Sequence, residues 1–411
     1  MHYKGTNKTA QQIGKELGVD TLIEGTVERV GERIRIRAQL IDSLTDRHLW
    51  AKIYDREFKD VLALQSEIAR DIVEQTQGNV SPQSIRPSVD LRPVNASAYE
   101  EYLKGRYFWN KRTPEGFQQA VDSFQQAIAR DPNYARAYSG LADTYALISS
   151  YSLAPPDQII PKAHAAALRA LQIDERVAEA HASLAFVTEN YDWDWKTAEK
   201  EYQRAIELDP NYATAHHWYA EYLAFQGRFD QALTEMQHAR LLDPLSLIMA
   251  VDNAAILYYA RQYDRAIEQY RAVLAMEPDF GHAHIAIASY VQERQFANAL
   301  AEIDRWRRGT GGPWSWGYEA YVRGRAGQMA RARYALRKFR ETSRRSNSDP
   351  AGMFALAYTG MGNKDEAFAW LQKAFAEHSI ALLGLKVDPA YDPLRSDPRF
   401  QDLLRRLGFA Q

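Results

Sequence analysis

The candidates for chemistry in this sequence are its histidines and its arginines. Cysteine is absent. Without cysteine there is no disulfide, no thiolate zinc site and no cysteine nucleophile. The sequence also contains no nucleophile elbow, zinc-protease motif or kinase signature. The glycine-rich run 309–313 lacks the lysine and the following hydroxyl of a phosphate-binding loop. We therefore expect no catalytic residues and no cofactor.

Histidine is the residue type that most resembles a metal ligand here. A metal site needs ligands that converge on one point. His282 and His284 are two residues apart and His216 and His217 are adjacent, so on helices the members of each pair point to different faces. The sequence therefore predicts that these histidines are half-buried and fill space in the helix packing, and it predicts no metal site.

An arginine-rich region at residues 305–345 is a second candidate, with twelve Arg or Lys residues and few acids. It predicts either a solvated helix surface, which long charged side chains tolerate, or a contact for nucleic acid or an acidic partner. DNA binding normally needs an inserted helix or stacking aromatics beside the charge, and Trp314 and Trp316 meet that need only loosely. The candidate basic patch consists of Arg323, Arg331, Arg333, Arg337 and Lys338.

The elements that position these residues are repeated helix pairs. When residues 213–246 are numbered from 1 to 34, small residues (Ala220 and Ala232) stand at positions 8 and 20, Gly227 at 15 and Pro244 at 32, with large apolar residues between them. Similar spacing recurs about eight times over residues 97–376. The pattern resembles the tetratricopeptide repeat, whose small residues let two helices approach closely. One pair cannot bury its apolar face alone, so the resemblance implies a mostly α fold, an α-solenoid of stacked repeats.

The resemblance also implies that the first helix of each pair lines the concave side of a superhelix. The residues at the inward positions are apolar, aromatic and weakly acidic, which suits an extended or helical peptide with apolar anchors. They lack the Lys/Asn pattern with which some members of the family hold a carboxyl terminus. An unused spacer surface is the alternative. The candidate groove residues are Glu179, Phe186, Glu189, Thr214, His217, Glu221, Val251, Tyr258, His282 and Ile285.

The first 80 residues do not repeat, and their pattern predicts a small α+β domain. Gly31-Glu32 has the composition of a two-residue hairpin turn, which would place Val27 opposite Ile36 and Ile23 opposite Leu40 on one apolar face. The predicted elements are a helix over 10–17, strands over 20–30, 33–42 and 48–55, and a helix that Asp60 caps.

Two stretches of this domain carry a second resemblance. IGKELGVDTLIEGTVERVGERIRIRAQLID and DVLALQSEIARDIV resemble the second half of the TolB amino-terminal-like (FlgO-like) domain, found in bacterial CadC-type regulators and in some receptor kinases and cyclases. The resemblance implies that the first strands and helix of the domain precede this sequence. We therefore expect residues 1–80 to be truncated, with uncovered apolar surface and low stability in isolation.

Two further segments complete the predicted organisation. Residues 81–96 contain three prolines and predict a linker of limited flexibility. Residues 377–411 predict a capping segment that covers the last helix pair. Its expected buried residues are Phe400, Leu403, Leu404 and Leu407.

The net charge and the hydropathy of the sequence limit the classes of function that it can have. The formal net charge of −2 provides no overall attraction to nucleic acid or to an anionic membrane, and the longest apolar run is too short to span a bilayer. We expect a non-enzymatic scaffold, the sensing or docking part of a bacterial signalling or transcriptional regulator, which binds a protein or peptide in its groove. A nucleic-acid-associated regulator acting through 305–345 is the alternative. The expected location is cytoplasmic, or periplasmic if a membrane segment precedes this sequence, and the oligomeric state stays open.

Overall fold

In the computed structural model the chain is described over residues 6–76, 95–277, 284–309, 312–343 and 350–409. It divides into two compact units. The first contains residues 1–103 and 126–132, and the second contains residues 104–125 and 133–411. The predicted linker 81–96 lies outside the described residues except for its last two positions.

The first unit contains a three-stranded antiparallel sheet in the order β1-β2-β3. The turn at Gly31, which has a positive φ of 60°, sets the register, and Val27 lies opposite Ile36 and Ile23 opposite Leu40, as predicted. The elements are α1 (Ala10–Leu17), β1 (Thr21–Val30), β2 (Arg33–Asp42), β3 (Arg47–Glu57) and α2 (Val61–Gln75).

Helix α2 packs beside β3, where Tyr54 donates a hydrogen bond of 2.6 Å to Asp71. The predicted capping role of Asp60 is wrong, because its side chain makes no capping bond at the start of α2. The apolar face is only partly covered. Leu40 is buried, whereas Ile23 and Val27 on the edge strand β1 are 57% and 67% exposed. The opposite edge strand, β3, also carries an exposed apolar residue, Ile53, which is 61% exposed.

Eight helix pairs follow along the described chain, in agreement with the repeat pattern. Ala220 and Ala232 are fully buried between the helices of their pair, and Gly227 adopts a φ of 82° in the turn, which favours glycine. A Cβ on Gly105 would lie 2.5 Å from the ring of Phe124, so this close approach requires a glycine. The sixteen helices are α3 (Ala96–Trp109), α4 (Pro114–Arg130), α5 (Ala135–Ser150), α6 (Pro156–Ile173), α7 (Ala178–Val187), α8 (Trp195–Leu208), α9 (Ala213–Phe225), α10 (Phe229–Leu242), α11 (Leu247–Tyr259), α12 (Tyr263–Met276), α13 (His284–Gln292), α14 (Phe296–Arg308), α15 (Trp314–Arg325), α16 (Met329–Ser343), α17 (Ala351–Gly360) and α18 (Lys364–Ala376).

The third pair departs from the regular spacing. A π-helical turn, Thr188–Asp192, extends α7, and Trp193 follows it with a left-handed φ of 54°. Such turns accommodate an inserted residue within a helix. The extra residue near Trp193 therefore lengthens the end of α7 and places two tryptophans, Trp193 and Trp195, at the turn between the two helices of this pair.

Residues 377–409, here called the C-terminal segment, contain two short 3₁₀ turns, Ile380–Leu382 and Pro389–Leu394, and helix α19 (Pro398–Arg406). Phe400, Leu403 and Leu407 are fully buried, as predicted. Leu404 is only half-buried, so that part of the prediction is wrong: the buried stripe of α19 follows the spacing i, i+3, i+7 and leaves Leu404 at its border. Across the parts of the chain described here, no helix is both long and apolar enough to cross a membrane.

Candidate functional site

The C-terminal segment returns to helix pairs far earlier in the chain. The indole nitrogen of Trp195 donates to the carbonyl of Leu407 at 2.7 Å, across 212 residues of sequence. Tyr258 donates to a carboxylate oxygen of Asp388 at 2.6 Å. Lys386 donates to the carbonyl of Gln226 at 3.2 Å. The segment therefore contacts the start of the second helix of the third pair and the ends of the first helices of the fourth and fifth pairs, beyond the last pair that it was expected to cap.

Aromatic stacking reinforces these hydrogen bonds. The ring of Trp193 stacks on His378, with ring centroids 4.7 Å apart, and the ring of Trp195 stacks on Phe409 at 4.6 Å. His378 also stacks on Tyr191 at 4.3 Å, and one of its ring nitrogens lies 2.9 Å from the carbonyl oxygen of Tyr191. The two tryptophans of the third pair thus form the surface on which the C-terminal segment packs.

A cavity of about 890 Å³ lies between this segment and the first helices of the pairs. Its walls include parts of α5, α7, α9, α11, α13, α14, α15 and α17, the loop between α3 and α4, and residues 379–391 of the C-terminal segment. Much of its lining is aromatic. The aromatic side chains include Phe186, Trp218, Tyr259, Trp306 and Tyr318.

Most of the predicted groove residues meet in this cavity. Its lining includes Phe186, Glu189, His217, Glu221, Tyr258 and Ile285. Three others lie elsewhere: Glu179 pairs with Arg136 at 3.1 Å, and Thr214 and Val251 are buried outside it. His282 lies outside the described residues. The predicted inward positions are thus largely brought together, but within a partly enclosed space, because the C-terminal segment forms one of its walls.

An acidic and histidine cluster lies on one side of the cavity. A ring nitrogen of His217 is 2.8 Å from a carboxylate oxygen of Asp252 on the neighbouring first helix and 3.7 Å from one of Glu221. Burial raises the pKa of Glu221 well above its usual range, and the nearby Asp252 carboxylate raises it further. Asp252 was missed as a site residue, although it interrupts the longest apolar run of the sequence, which is a signal for a buried polar role.

A cationic side chain lines the same cavity. Arg112 lies in the loop between α3 and α4 and has a left-handed φ of 52°. Its guanidinium lies 3.7 Å over the ring of Trp109, and among the described residues it has no ion pair and no hydrogen-bond acceptor. Burial lowers the pKa of Arg112. No sequence motif marked this residue, because its role depends on how the first pair faces the fourth and fifth.

Glu189 is the most deeply buried acid of the cavity lining, at 2% exposure. Burial raises its pKa to about 8, although the hydroxyl of Tyr202 donates a hydrogen bond to it at 2.8 Å. Its carboxyl group is therefore protonated at neutral pH. Burial thus shifts both Glu189 and Glu221 in the cavity wall towards their neutral forms.

The adjacent histidines separate onto different faces, as expected. His216 places one ring nitrogen 2.6 Å from Glu235 and the other 2.9 Å from the carbonyl oxygen of Pro210. His181, at the equivalent position of the previous repeat, makes the same contacts with Glu201 and the carbonyl of Glu175. Burial alone would lower the pKa of His216, but the hydrogen bonds to Glu235 and Pro210 raise it. The repetition of these contacts in two repeats indicates a structural clamp between helices.

Within the described ranges, two groups have donor atoms close enough together to hold a metal ion. They are His216 with Glu235 and His238, and His217 with Glu221 and Asp252, and within each group the atoms lie within 4.8 Å of one another. The clamp gives both ring nitrogens of His216 a protein partner, so that group needs no metal. The second group lies inside the cavity.

Two of the five side chains in the predicted basic patch form ion pairs with nearby acids. Arg323 pairs with Glu319 at 3.2 Å, and Lys338 pairs with Glu341 at 3.1 Å. Arg331, Arg333 and Arg337 are exposed on α16. Part of the positive charge counted in the sequence is thus neutralised locally, which leaves a solvated helix surface.

Known families match these helix pairs. One family model described as "Tetratricopeptide repeat" matches residues 201–234, and a second with the same description matches residues 102–157 and 251–313. The helix pairs are therefore tetratricopeptide repeats, and the second unit is an α-solenoid of this class.

Similar proteins extend the comparison. The chain is 31% identical over 186 residues to "Putative adenylate cyclase 3" of Rhizobium meliloti, a match that covers 44% of this chain and 31% of that protein. It is 25% identical over 166 residues to "Transcriptional regulator HilA" of Salmonella typhimurium, covering 40% of this chain and 30% of that protein. The chain thus matches about a third of the length of these relatives. Among solved structures, "Human IFIT1 dimer with m7Gppp-AAAA" shares the fold at 14% identity and a TM-score of 0.51, covering 78% of this chain and 81% of that chain.

Proposed function

We propose that this chain is a non-enzymatic interaction scaffold that binds a peptide or protein partner through the inner face of its tetratricopeptide repeats. The observation that carries the proposal is the meeting of six predicted inward residues in one cavity of about 890 Å³. That volume lies within the roughly 300–1,000 Å³ typical of ligand sites, and the mixture of aromatic walls with a few polar groups is typical as well. A partner segment with apolar anchors fits such a lining.

We further propose that the chain is the sensing or docking part of a bacterial signalling or transcriptional regulator. Two features support this role: the resemblance of residues 1–80 to part of a TolB amino-terminal-like domain, and relatives whose names are an adenylate cyclase and a transcriptional regulator. Both relatives are longer than the matched region. An output activity would therefore reside outside the repeats, which act by binding.

A paired capture experiment tests where a partner binds. The full chain is immobilised and exposed to bacterial lysate with and without nuclease, beside a cavity double variant (Phe186→Ala with Tyr258→Ala) and a basic double variant (Arg331→Glu with Arg333→Glu). We expect the captured partner to be lost with the cavity variant and retained with the basic variant, whether or not nuclease is present.

The folding of each variant is checked by circular dichroism, because Tyr258 also contacts Asp388. If the double variant does not fold, Phe186→Leu with Tyr258→Phe replaces it and should weaken capture. Loss of capture only with the basic variant, together with sensitivity to nuclease, would contradict the proposal and favour a nucleic-acid contact through 305–345.

A further inference from the structure

An acidic and a basic side chain line the cavity without pairing with each other. Glu221 and Arg112 both contribute to its lining, yet they do not form an ion pair. Among the described residues, the Glu221 carboxylate makes no hydrogen bond and has only the ring nitrogen of His217 at 3.7 Å. The guanidinium of Arg112 contacts the ring of Trp109 and no acceptor. An acid and a base that do not pair with each other thus face the same space.

This arrangement is unfavourable when only protein is present. A charge removed from water costs free energy unless it is paired or hydrogen-bonded. The Glu221 side has in addition a second carboxylate, Asp252, whose only ion-pair partner in the described part of the chain is His217. A positive group of a ligand near Glu221 would favour its ionised form and pair with it, and a negative group near Arg112 would pair with the guanidinium.

A further polar atom of the cavity wall lacks a partner. The indole nitrogen of Trp306 is buried and makes no hydrogen bond in the described structure. Since an indole nitrogen only donates, it calls for an acceptor such as a carboxylate or a peptide carbonyl. Aromatic side chains around it, including Trp314 and Tyr318, provide apolar surface for a side chain of the ligand.

We propose that the cavity binds a small zwitterion with an apolar side chain, either a free amino acid or a short free peptide, with its carboxylate on Arg112 and its ammonium group on Glu221 and Asp252. The inference rests on the proposed use of the inner face and adds the chemical class of the ligand. A bare metal ion on His217, Glu221 and Asp252 is the competing occupant. It fits less well, because it would leave Arg112 unpaired and would be repelled by it.

Isothermal titration calorimetry on the full chain tests the inference with three probes. They are L-phenylalanine, the dipeptide Leu-Phe with free ends, and the same dipeptide acetylated and amidated at its ends. We expect a free-ended probe to bind and the blocked dipeptide to bind at least about tenfold more weakly, since each end forms a charged hydrogen bond in the free form. The stronger of the two free-ended probes identifies the source, amino acid or peptide.

Variants assign the two ends of the ligand. Arg112→Gln and Glu221→Gln should each weaken the free-ended probe by about tenfold or more, and each should have less effect on the blocked dipeptide. Matched controls carry the same changes on exposed helix surface: Arg240→Gln on α10 and Glu207→Gln on α8 should leave binding unchanged. If a cavity variant does not fold, the comparison of free and blocked probes on the unmodified chain decides alone.

Three results would overturn the inference. They are equal binding of the free and blocked dipeptides, no binding of either free-ended probe at about 10 mM, and binding of Zn²⁺ that Glu221→Gln abolishes while no zwitterion binds. Capture of a partner by the cavity without any response to zwitterions would remove this inference and leave the scaffold proposal in place. Zwitterion binding without any partner that depends on the cavity would remove the scaffold proposal and leave this inference in place.

Discussion

Replacing Glu189 with glutamine should stabilise the protein, and the stabilisation should grow as the pH rises. The carboxyl group of Glu189 is buried in the wall of the cavity, where burial raises its pKa from 4.5 to about 8. In the unfolded chain the same group ionises near pH 4.5. Between these two values the unfolded state loses a proton that the folded state keeps, so the stability of the unmodified protein falls with rising pH.

The magnitude follows from that difference in pKa, at about 1.4 kcal/mol per pH unit. The loss of stability is about 1 kcal/mol at pH 5 and about 3 kcal/mol at pH 7. Glutamine has nearly the same shape, can accept the hydrogen bond from Tyr202 and does not ionise. The advantage of the Glu189→Gln variant should therefore increase by about 2 kcal/mol between pH 5 and pH 7, or about 3 °C in melting temperature for a unit of this size.

The assay is thermal unfolding followed by circular dichroism at pH 5, 6, 7 and 8, with both proteins in the same buffers. Glu207→Gln, a change on the exposed surface of the same repeat, is the control and should give parallel curves. A constant difference between Glu189→Gln and the unmodified chain at all pH values would refute the reasoning. It would mean that Glu189 is ionised in the folded protein and that water or another group solvates it.

Two further perturbations test the repeats themselves. Ala232→Arg places a charge where α9 and α10 touch, and because burying it unpaired costs several kcal/mol, the melting temperature should fall sharply; unchanged melting would show that this contact is misplaced. His216→Gln removes a clamp whose raised pKa makes it stabilising below about pH 6.5, and this contribution is lost as the pH rises through the folded-state pKa. Urea denaturation should therefore show a larger loss of stability at pH 5.5 than at pH 8.5, with His48→Gln, at an exposed histidine outside this cluster, as control. A larger loss at the higher pH would contradict the clamp.

The local elements of both units were predictable because their signals are local. The two-residue turn at Gly31 defines the pairing of β1 with β2, and the small residues at positions 8 and 20 of each repeat identify the contacts within a helix pair. Helix periodicity and turn chemistry act over a few residues and are written directly in the sequence. Deviations at the ends of elements, such as the half-buried Leu404, depend on how a helix rotates against its neighbour.

The enclosure of the cavity was not predictable in the same way. The contact between Trp195 and Leu407 depends on the small rotation between successive repeats, which accumulates over five helix pairs before the chain returns. The extra residue near Trp193 was visible in the sequence spacing. Its consequence, an aromatic surface on which His378 and Phe409 stack, was not. Arg112 was missed for the same reason, because the acids that share the cavity with it, Glu221 and Asp252, lie more than 100 residues away in the sequence.

The measurement that tests the account most directly is a nuclear Overhauser effect between Trp195 and Phe409 in the full chain. Deuterated protein with protonated tryptophan and phenylalanine gives few signals, and Trp195→Phe assigns the indole resonance. Because the two rings stack at 4.6 Å and the indole nitrogen is bonded to the Leu407 carbonyl, we predict a strong cross-peak and slow exchange of the indole proton. An absent cross-peak together with rapid exchange would show that the C-terminal segment leaves the inner face open, and the enclosed cavity would then not exist.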